Sequence, residues 1–438
     1  MHKLCKLSVC VALSLLLLQL SHASLPPSPP VLNNSGHIMS NAESNNMAEY
    51  SRRLAIFSVN MYNKLSLMKP NENVVFSPFS IQSCAAMARL GAEGETAAEL
   101  DRGLGLVSTD ERQIAESFHQ VISAYEKSDI LRIANKIYVM QGYNLRAQFN
   151  ELLSKQFLSG AENVDFSRNA EAAGKINTWV EQQTNHLIKD LVPASALDGF
   201  TRLVLVNAIH FKGNWVHEFP AHATRNDKFH LNNVDSIDVP MMNVKARFRY
   251  ANLPNLDASA LEMPYKDSDL SMLIVLPNTK TGLSQLEEKL RSTPISLITE
   301  QLRSTEVQVK LPKFKAEFQV ELSEAFQQLG MTRMFSDNAQ FGKMLTEPES
   351  LKVSAIIHKA FIDVNEQGTE AAAATGAVVR MKRSLISLAE PVVFHADHPF
   401  IYMLVHQQQV PLFMGSIVRL EGAAASACAA PGIEHDEF

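Results

Sequence analysis

The sequence predicts an α+β fold in one large domain, and three observations carry that prediction. Apolar residues recur at helical spacing through the first half of the chain. The character changes at Leu203-Val204-Leu205-Val206, a short apolar run suited to a buried strand. Strand-like segments then dominate, without the strict helix–strand alternation of a parallel α/β sheet. The 438 residues are 46% hydrophobic, enough for a large core, and no linker composition or internal repeat interrupts 47–420.

Taken in order, a helix is expected from Met47 to Leu67, where Ala55, Ile56, Val59, Met61 and Tyr62 recur near helical spacing. Further helices are expected at 80–104, 110–126, 146–157 and 168–189. After Leu203, strands are expected at 246–252, 257–265, 270–276, 305–318, 352–364 and 399–420. Helices at 283–292 and 318–329 interrupt them.

The ends of the chain read differently. His2, Lys3 and Lys6 precede an apolar run from Leu7 to Leu18, and Ser21-His22-Ala23 follows with small residues. This is a secretory signal pattern over 1–23, cleaved after Ala23; the run is short for a membrane anchor. Residues 24–46 read as a flexible leader rich in Pro and Asn, carrying a glycosylation sequon at Asn33. Residues 421–438 read as an exposed tail. Its last residues, His435, Asp436, Glu437 and Phe438, are similar to HDEL-type retrieval signals of the endoplasmic reticulum, with Phe in place of the usual Leu. The expected location is the secretory pathway, either the endoplasmic reticulum lumen or outside the cell. A random acidic tail is the alternative.

Of four cysteines, Cys5 and Cys10 leave with the signal, and Cys84 and Cys428 lie far apart. That makes neither a disulfide framework nor a metal site, and no cofactor is expected. With 40 basic and 46 acidic residues the net charge is −6, which argues against nucleic acid as a partner. No later stretch is long and apolar enough for membrane insertion. Arg112, Lys127 and Arg132 lie among several acids, so no polyanion site is expected at 105–135.

The informative stretch follows the strand at 352–364. Glu366-Gln367-Gly368-Thr369-Glu370 leads into Ala371-Ala372-Ala373-Ala374-Thr375-Gly376-Ala377, then Arg380-Met381-Lys382-Arg383-Ser384. Local propensity alone favours an alanine helix here. Yet small residues without proline can also enter a sheet interior and keep every ladder hydrogen bond.

Phe361 to Thr375 resembles the hinge of the serpins. Four other stretches resemble serpin motifs in the same order: Phe76-Ser77-Pro78-Phe79-Ser80-Ile81, the run from Leu205 to Trp215, His395-Ala396-Asp397-His398-Pro399-Phe400, and Pro411-Leu412-Phe413-Met414-Gly415. The resemblance covers about 47–420. It implies about nine helices around three β-sheets, with an exposed C-terminal reactive-centre loop at about 366–390. It implies a suicide-substrate inhibitor of serine proteases, a monomer rather than an enzyme. The protease attacks the loop, forms an acyl-enzyme, and is trapped when the cut loop inserts into a sheet. Glu366, Gly368, Thr369, Glu370 and Ala371 to Thr375 match the hinge, where Gly368 is expected to permit unusual backbone angles at the bend. Ser77, Asn207 and His358 match the family's polar cluster under the sheet. Trp215 matches the position where the loop enters, or else is ordinary core.

The bait sets the target. Arg380, Lys382 and Arg383 stand fourth, second and first before the Arg383–Ser384 bond, with Met381 between them. This is similar to the preferred site of furin-like proprotein convertases, whose clefts carry carboxylates. The family's usual spacing from Glu366 instead places the reactive bond between Lys382 and Arg383, which suits a trypsin-like protease. A retrieval receptor is a possible second partner through the tail. Two other readings stay open: a secreted inhibitor of trypsin-like proteases, and a non-inhibitory chaperone of the endoplasmic reticulum.

Overall fold

The computed structural model describes residues 41–421 apart from 127, 129, 370–389 and 408, with side chains from Met47 onward. The chain divides into two units, Met1–Asn45 and Asn46–Phe438. Of the first, only 41–45 are described, as helical backbone. The second holds everything below.

Nine α-helices and two hydrogen-bonded strand systems occur among the described residues. The larger has nine strands in the order Val74–Phe76, Val410–Ile417, Phe400–His406, Leu270–Pro277, Ala258–Pro264, Ser236–Leu253, Arg303–Pro312, Val392–His395, with Arg225–His230 also on Ser236–Leu253. The 18-residue strand Ser236–Leu253 joins two groups. Its last residues pair with Ala258–Pro264, and its middle pairs with Arg303–Pro312.

The smaller system has seven strands, β1 Leu131–Met140, β2 Ala161–Val164, β3 Leu203–Phe211, β4 Gly213–Asn214, β5 Phe314–Glu321, β6 Val353–Val364 and β7 Gly368–Thr369. Their order is β2-β1-β3-β6-β7-β4, with β5 on the far side of β6. The centre of this sheet is the parallel pair β3–β6, with eight residue pairs from Leu203↔Val353 to His210↔Phe361 and one register shift between Val353 and Ala355.

Every residue of β3 is buried, because both faces are covered. Leu203, Leu205 and Ile209 join the main core, which includes the helix Pro78–Leu90. Val204, Val206 and Ala208 join a second core with Ile176 and Val180 of the helix Asn169–Gln183 and with Ile188, Leu191 and Val192 after it. Alternate residues therefore serve different apolar layers, which is why the run reads as continuous rather than alternating.

Several expected boundaries move. The helix expected at 80–104 is two, Pro78–Leu90 and Gly94–Leu104, broken where Gly94 takes a φ of 54°. The strand expected at 305–318 is two, Arg303–Pro312 and β5, and the helix expected at 318–329 is confined to Ser323–Gln328. The first helix begins at Asn41 rather than Met47. The helix expected at 168–189 ends at Gln183, before Asn185 and His186 take positive φ. β1 lies among the early helices and was not expected; its polar positions break any simple period.

Candidate functional site: the head of the central strand pair

Beyond Phe361 the β3–β6 ladder ends, although β6 continues to Val364. The chain turns at Asn365, Glu366 and Gln367, and β7 folds back beside it. Thr369 pairs antiparallel with Val364 on one side and Gly213 on the other. Two residues of the expected hinge thus sit between β6 and β4, the strand that follows β3.

The turn is held by backbone and side-chain bonds. Asn365 N donates to Gly368 O at 2.9 Å, Trp215 N donates to Gln367 O at 2.8 Å, and Phe219 N donates to Glu366 O at 2.9 Å. Trp215 Nε1 donates to Asn365 O at 3.0 Å. The Trp215 ring is buried and stacks on Tyr265 with centroids 4.3 Å apart. Tyr265 OH shares a 2.8 Å hydrogen bond with Thr369 Oγ1, and Thr369 is 0% exposed. The Glu366 carboxylate receives Lys313 Nζ at 2.9 Å and Thr224 Oγ1 at 2.9 Å. Burial acts to raise the Glu366 carboxyl, but these two partners and its own backbone N–H outweigh it and leave it below the ordinary range.

Gly368 fills a different need from the unusual backbone angle expected of it. It does not adopt a positive φ. A Cβ at this position would lie 1.9 Å from Gly213 O and 2.6 Å from Asn214 Cα. The glycine is required because two backbones meet there.

Below the sheet, Ser77, Asn207 and His358 lie in one buried network with Ser80 and Asn135. Ser77 caps the helix Pro78–Leu90: its Oγ accepts from Ser80 N at 3.0 Å and donates to Leu412 O at 2.6 Å. Ser77 N donates to His358 Nε2 at 3.4 Å. A backbone N–H can only donate, so Nε2 is the unprotonated nitrogen and Nδ1 carries the hydrogen. Nδ1–H then donates to Asn207 Oδ1. Asn207 Nδ2 donates to Ser80 Oγ and Asn135 Oδ1. The network ties β1, β3 and β6 to the helix beneath them. Trp215 belongs to the hinge rather than to this network.

Burial pushes the His358 imidazole down from 6.5 to about 3. The unfolded chain therefore binds a proton between these values that the folded chain refuses. Stability should fall as pH drops below 6.5, by about 1.4 kcal/mol per unit from this one group. His406, pushed down to about 4 by burial, adds to the same slope. Urea midpoints measured from pH 8 to pH 5 for the parent and His358→Gln isolate the His358 part. The parent should lose more stability on acidification than the variant, and parallel curves would refute the assignment.

Tyr265, Asn135, Ser80, Lys313 and Gly213 were not singled out from the sequence. Asn135 carried a signal, as a polar residue between Ala134 and Ile137 in an apolar strand. Tyr265 carried none, since its partners lie far along the chain. Among the hinge residues, Glu370 and Ala371 to Thr375 lie outside the described residues. So do Arg380, Met381, Lys382, Arg383, Ser384, Asn33, the signal segment, and the tail His435 to Phe438.

Comparison with known proteins agrees with this architecture. Residues 52–420 match the family model described as Serpin (serine protease inhibitor). Alaserpin of Manduca sexta is 39% identical over 365 residues, which cover 83% of this chain and 92% of that protein. Human neuroserpin is 33% identical over 84% of this chain and 91% of its own. Among solved structures, a cleaved Serpin 42Da aligns with a TM-score of 0.79 and 69% identity, covering 86% of this chain and all of that one. The ordered motifs, the β3–β6 pair with the hinge at its head, and the match over 52–420 place this chain in the serpin family of serine protease inhibitors.

Proposed function

We propose that this chain traps furin-like proprotein convertases by inserting its cut loop between β3 and β6. The observation that carries the reading is Gly368–Thr369 seated at the head of that pair. A chain entering there runs antiparallel to β6, so each further residue would meet hydrogen-bonding groups on both sides. Insertion replaces one ladder by two. Over the eight pairs of the β3–β6 register the net gain is roughly 4–12 kcal/mol. The uncut loop is tethered at both ends and cannot collect this energy, so the starting state is kinetically held.

The chemistry belongs to the protease. Its serine oxygen attacks the carbonyl carbon of Arg383, the Arg383–Ser384 bond breaks, and the amine of Ser384 leaves with a proton. An ester then links the protease to Arg383. Insertion competes with hydrolysis of that ester. The expectation that the chain is not an enzyme is corrected to what its family is described as, a serine protease inhibitor. A suicide-substrate inhibitor is a reactant in its target's acyl transfer, although it is not itself a proteolytic enzyme. A structural relative at 69% identity is described as cleaved, which supports a loop open to attack.

The protein should form an SDS-stable complex with furin, and mass spectrometry of the released peptide should begin at Ser384. Arg380→Ala removes a charge-assisted contact four residues before the bond. It should slow complex formation with furin at least tenfold and leave trypsin unaffected. A released peptide beginning at Arg383 would favour the alternative bond after Lys382 and a trypsin-like target. Clean cleavage by both proteases without a complex would refute inhibition.

The same reading places the protein in the secretory pathway, where convertases mature. Its supports are the signal-like 1–23, the sequon at Asn33 and the tail. Deleting His435 to Phe438 should raise secretion into the medium, and unchanged secretion would remove retrieval from the account.

A further inference from the structure

The bait loop is tethered at its far end by a short strand. Val392–His395 ends the larger strand system and pairs with Arg303–Pro312 from Val307↔Val392 to Lys310↔His395. Four backbone pairs are a small hold, and the side chains at the end of the strand add to it.

Three histidines converge there on Asp397. His398 Nδ1 lies 2.7 Å from Asp397 Oδ1, while His395 Nδ1 and His230 Nε2 each lie 3.9 Å from Asp397 Oδ2. Asp227 faces the other nitrogen of His395. Its Oδ2 is 3.4 Å from His395 Nε2 and 3.4 Å from Lys310 Nζ. His395 Nε2 is closed to water and makes no hydrogen bond among the described residues. Backbone bonds join the same elements: His230 N donates to Asp397 O at 2.7 Å, and Ala396 N donates to Lys310 O at 2.9 Å. The two carboxylates therefore fasten the end of Val392–His395 to Arg225–His230 and to Arg303–Pro312.

Asp227, Lys310, Asp397 and His398 act on His395, and His230 acts on Asp397. Histidine is the side chain that changes charge between about pH 5 and 8. With the histidines neutral, two carboxylates face one ammonium. A first proton balances the cluster, and a second and third overcharge it in a partly buried space. Burial weighs most on His395. With Lys310 and His398 it holds the imidazole below the ordinary 6.5, although Asp397 and Asp227 pull the other way. A strand released to water thus binds a proton that the docked strand refuses, so release is favoured as pH falls below 6.5.

We propose that His230, His395 and His398 around Asp397 form a proton-sensitive clasp on Val392–His395, which acid opens. The consequence rests on the reading of the β3–β6 slot given above. For the uncut loop to enter that slot, the chain after Arg383 must retrace the length of the ladder. Eight pairs occupy roughly 26 Å. With the strand docked, the eight residues from Ser384 to Pro391 reach at most about 28 Å, which leaves no slack. Releasing Val392–His395 extends the reach to about 40 Å. An open clasp therefore lets the uncut loop enter the sheet without a protease.

The test incubates the full uncut chain at about pH 7.5 and about pH 5.5. It follows amide exchange of Val392–His395, corrected for its intrinsic pH dependence, and the appearance of protein with a raised thermal midpoint and an intact mass. Both should quicken about threefold to tenfold for each unit of pH below 6.5, the upper figure being the limit for one proton. His395→Gln with His230→Gln should remove the pH dependence. His406→Gln, a buried histidine on Phe400–His406 bonded to Tyr125, should keep it. Equal exchange at both pH values, or an acceleration that the double variant keeps, would overturn the proposal. If the double variant does not fold, His230→Gln alone decides: it should weaken the acceleration, and an unchanged pH dependence would overturn the clasp. Faster exchange in acid with no rise in the midpoint would uphold the clasp and count against entry between β3 and β6, so the two readings fail separately.

Discussion

Thr369→Arg should leave the bait cleavable and abolish trapping. Thr369 is 0% exposed between Val364 and Gly213, with its hydroxyl on Tyr265. It is the residue from which insertion must propagate. In the intact protein the arginine reaches solvent only if Gly368–Thr369 backs out of the slot, which gives up the pairs with Val364 and Gly213. In the inserted state it cannot, because the strand on either side closes over it. A buried guanidinium without a partner costs several kcal/mol. A penalty of even 3 kcal/mol on the insertion step slows it more than a hundredfold relative to hydrolysis of the ester. Gels should show the variant converted to cut product with no covalent complex, at an unchanged kcat/KM for cleavage. A variant that still traps with near-equimolar stoichiometry would contradict the role given to this residue.

Asn207→Ala should destabilise the protein about as much as truncating a buried apolar neighbour in β3. Asn207 accepts from His358 and donates to Ser80 and Asn135, all within a layer closed to water. The substitution strands the His358 Nδ1–H donor and removes one donor each from Ser80 Oγ and Asn135 Oδ1, which keep their 3.0 Å hydrogen bond to each other. A stranded buried donor costs about 1–3 kcal/mol and each lost hydrogen bond about 0.5–1.5 kcal/mol, so a loss of roughly 2–6 kcal/mol is expected. The lost bonds are those that tie β3 to β6 and to the helix below, so the sheet should also open more readily. Equilibrium urea unfolding gives the first quantity. Amide exchange of β3 and β6 under native conditions gives the second, with faster exchange expected in the variant. Asn207→Asp is a useful companion. It keeps the shape and the acceptor for His358 but loses the two donations, and should fall between parent and alanine.

Much of this was legible in the chain, for identifiable reasons. Leu203 to Val206 announced a strand covered on both faces, because only such a strand needs apolar residues at every position. The run from Glu366 to Thr375 stood out because small residues without proline are rare in a solvent loop. The helix start was not legible: the helix was expected from 80, whereas Ser77 caps it and it begins at Pro78. The partners were not legible. Tyr265 meets Thr369 across 104 positions, and Lys313 meets Glu366 across a sheet edge. Neither contact leaves a periodic trace. Gly368 was noticed for the wrong reason, since the approach of Gly213 appears only when two strands are brought together. β1 was missed because Arg132, Asn135 and Lys136 interrupt its apolar pattern, although Asn135 is the residue that extends the buried network to it.

Trapping requires the loop to enter between β3 and β6 after cleavage. The direct measurement is the thermal midpoint of the protein before and after the bait is cut. A new strand worth roughly 4–12 kcal/mol in a domain of this size should raise the midpoint on the order of 10 °C. Thr369→Arg, cut in the same way, should show little or no rise. An unchanged midpoint in the cut parent would mean that the loop stays outside the sheet, and the trapping mechanism would fall with it.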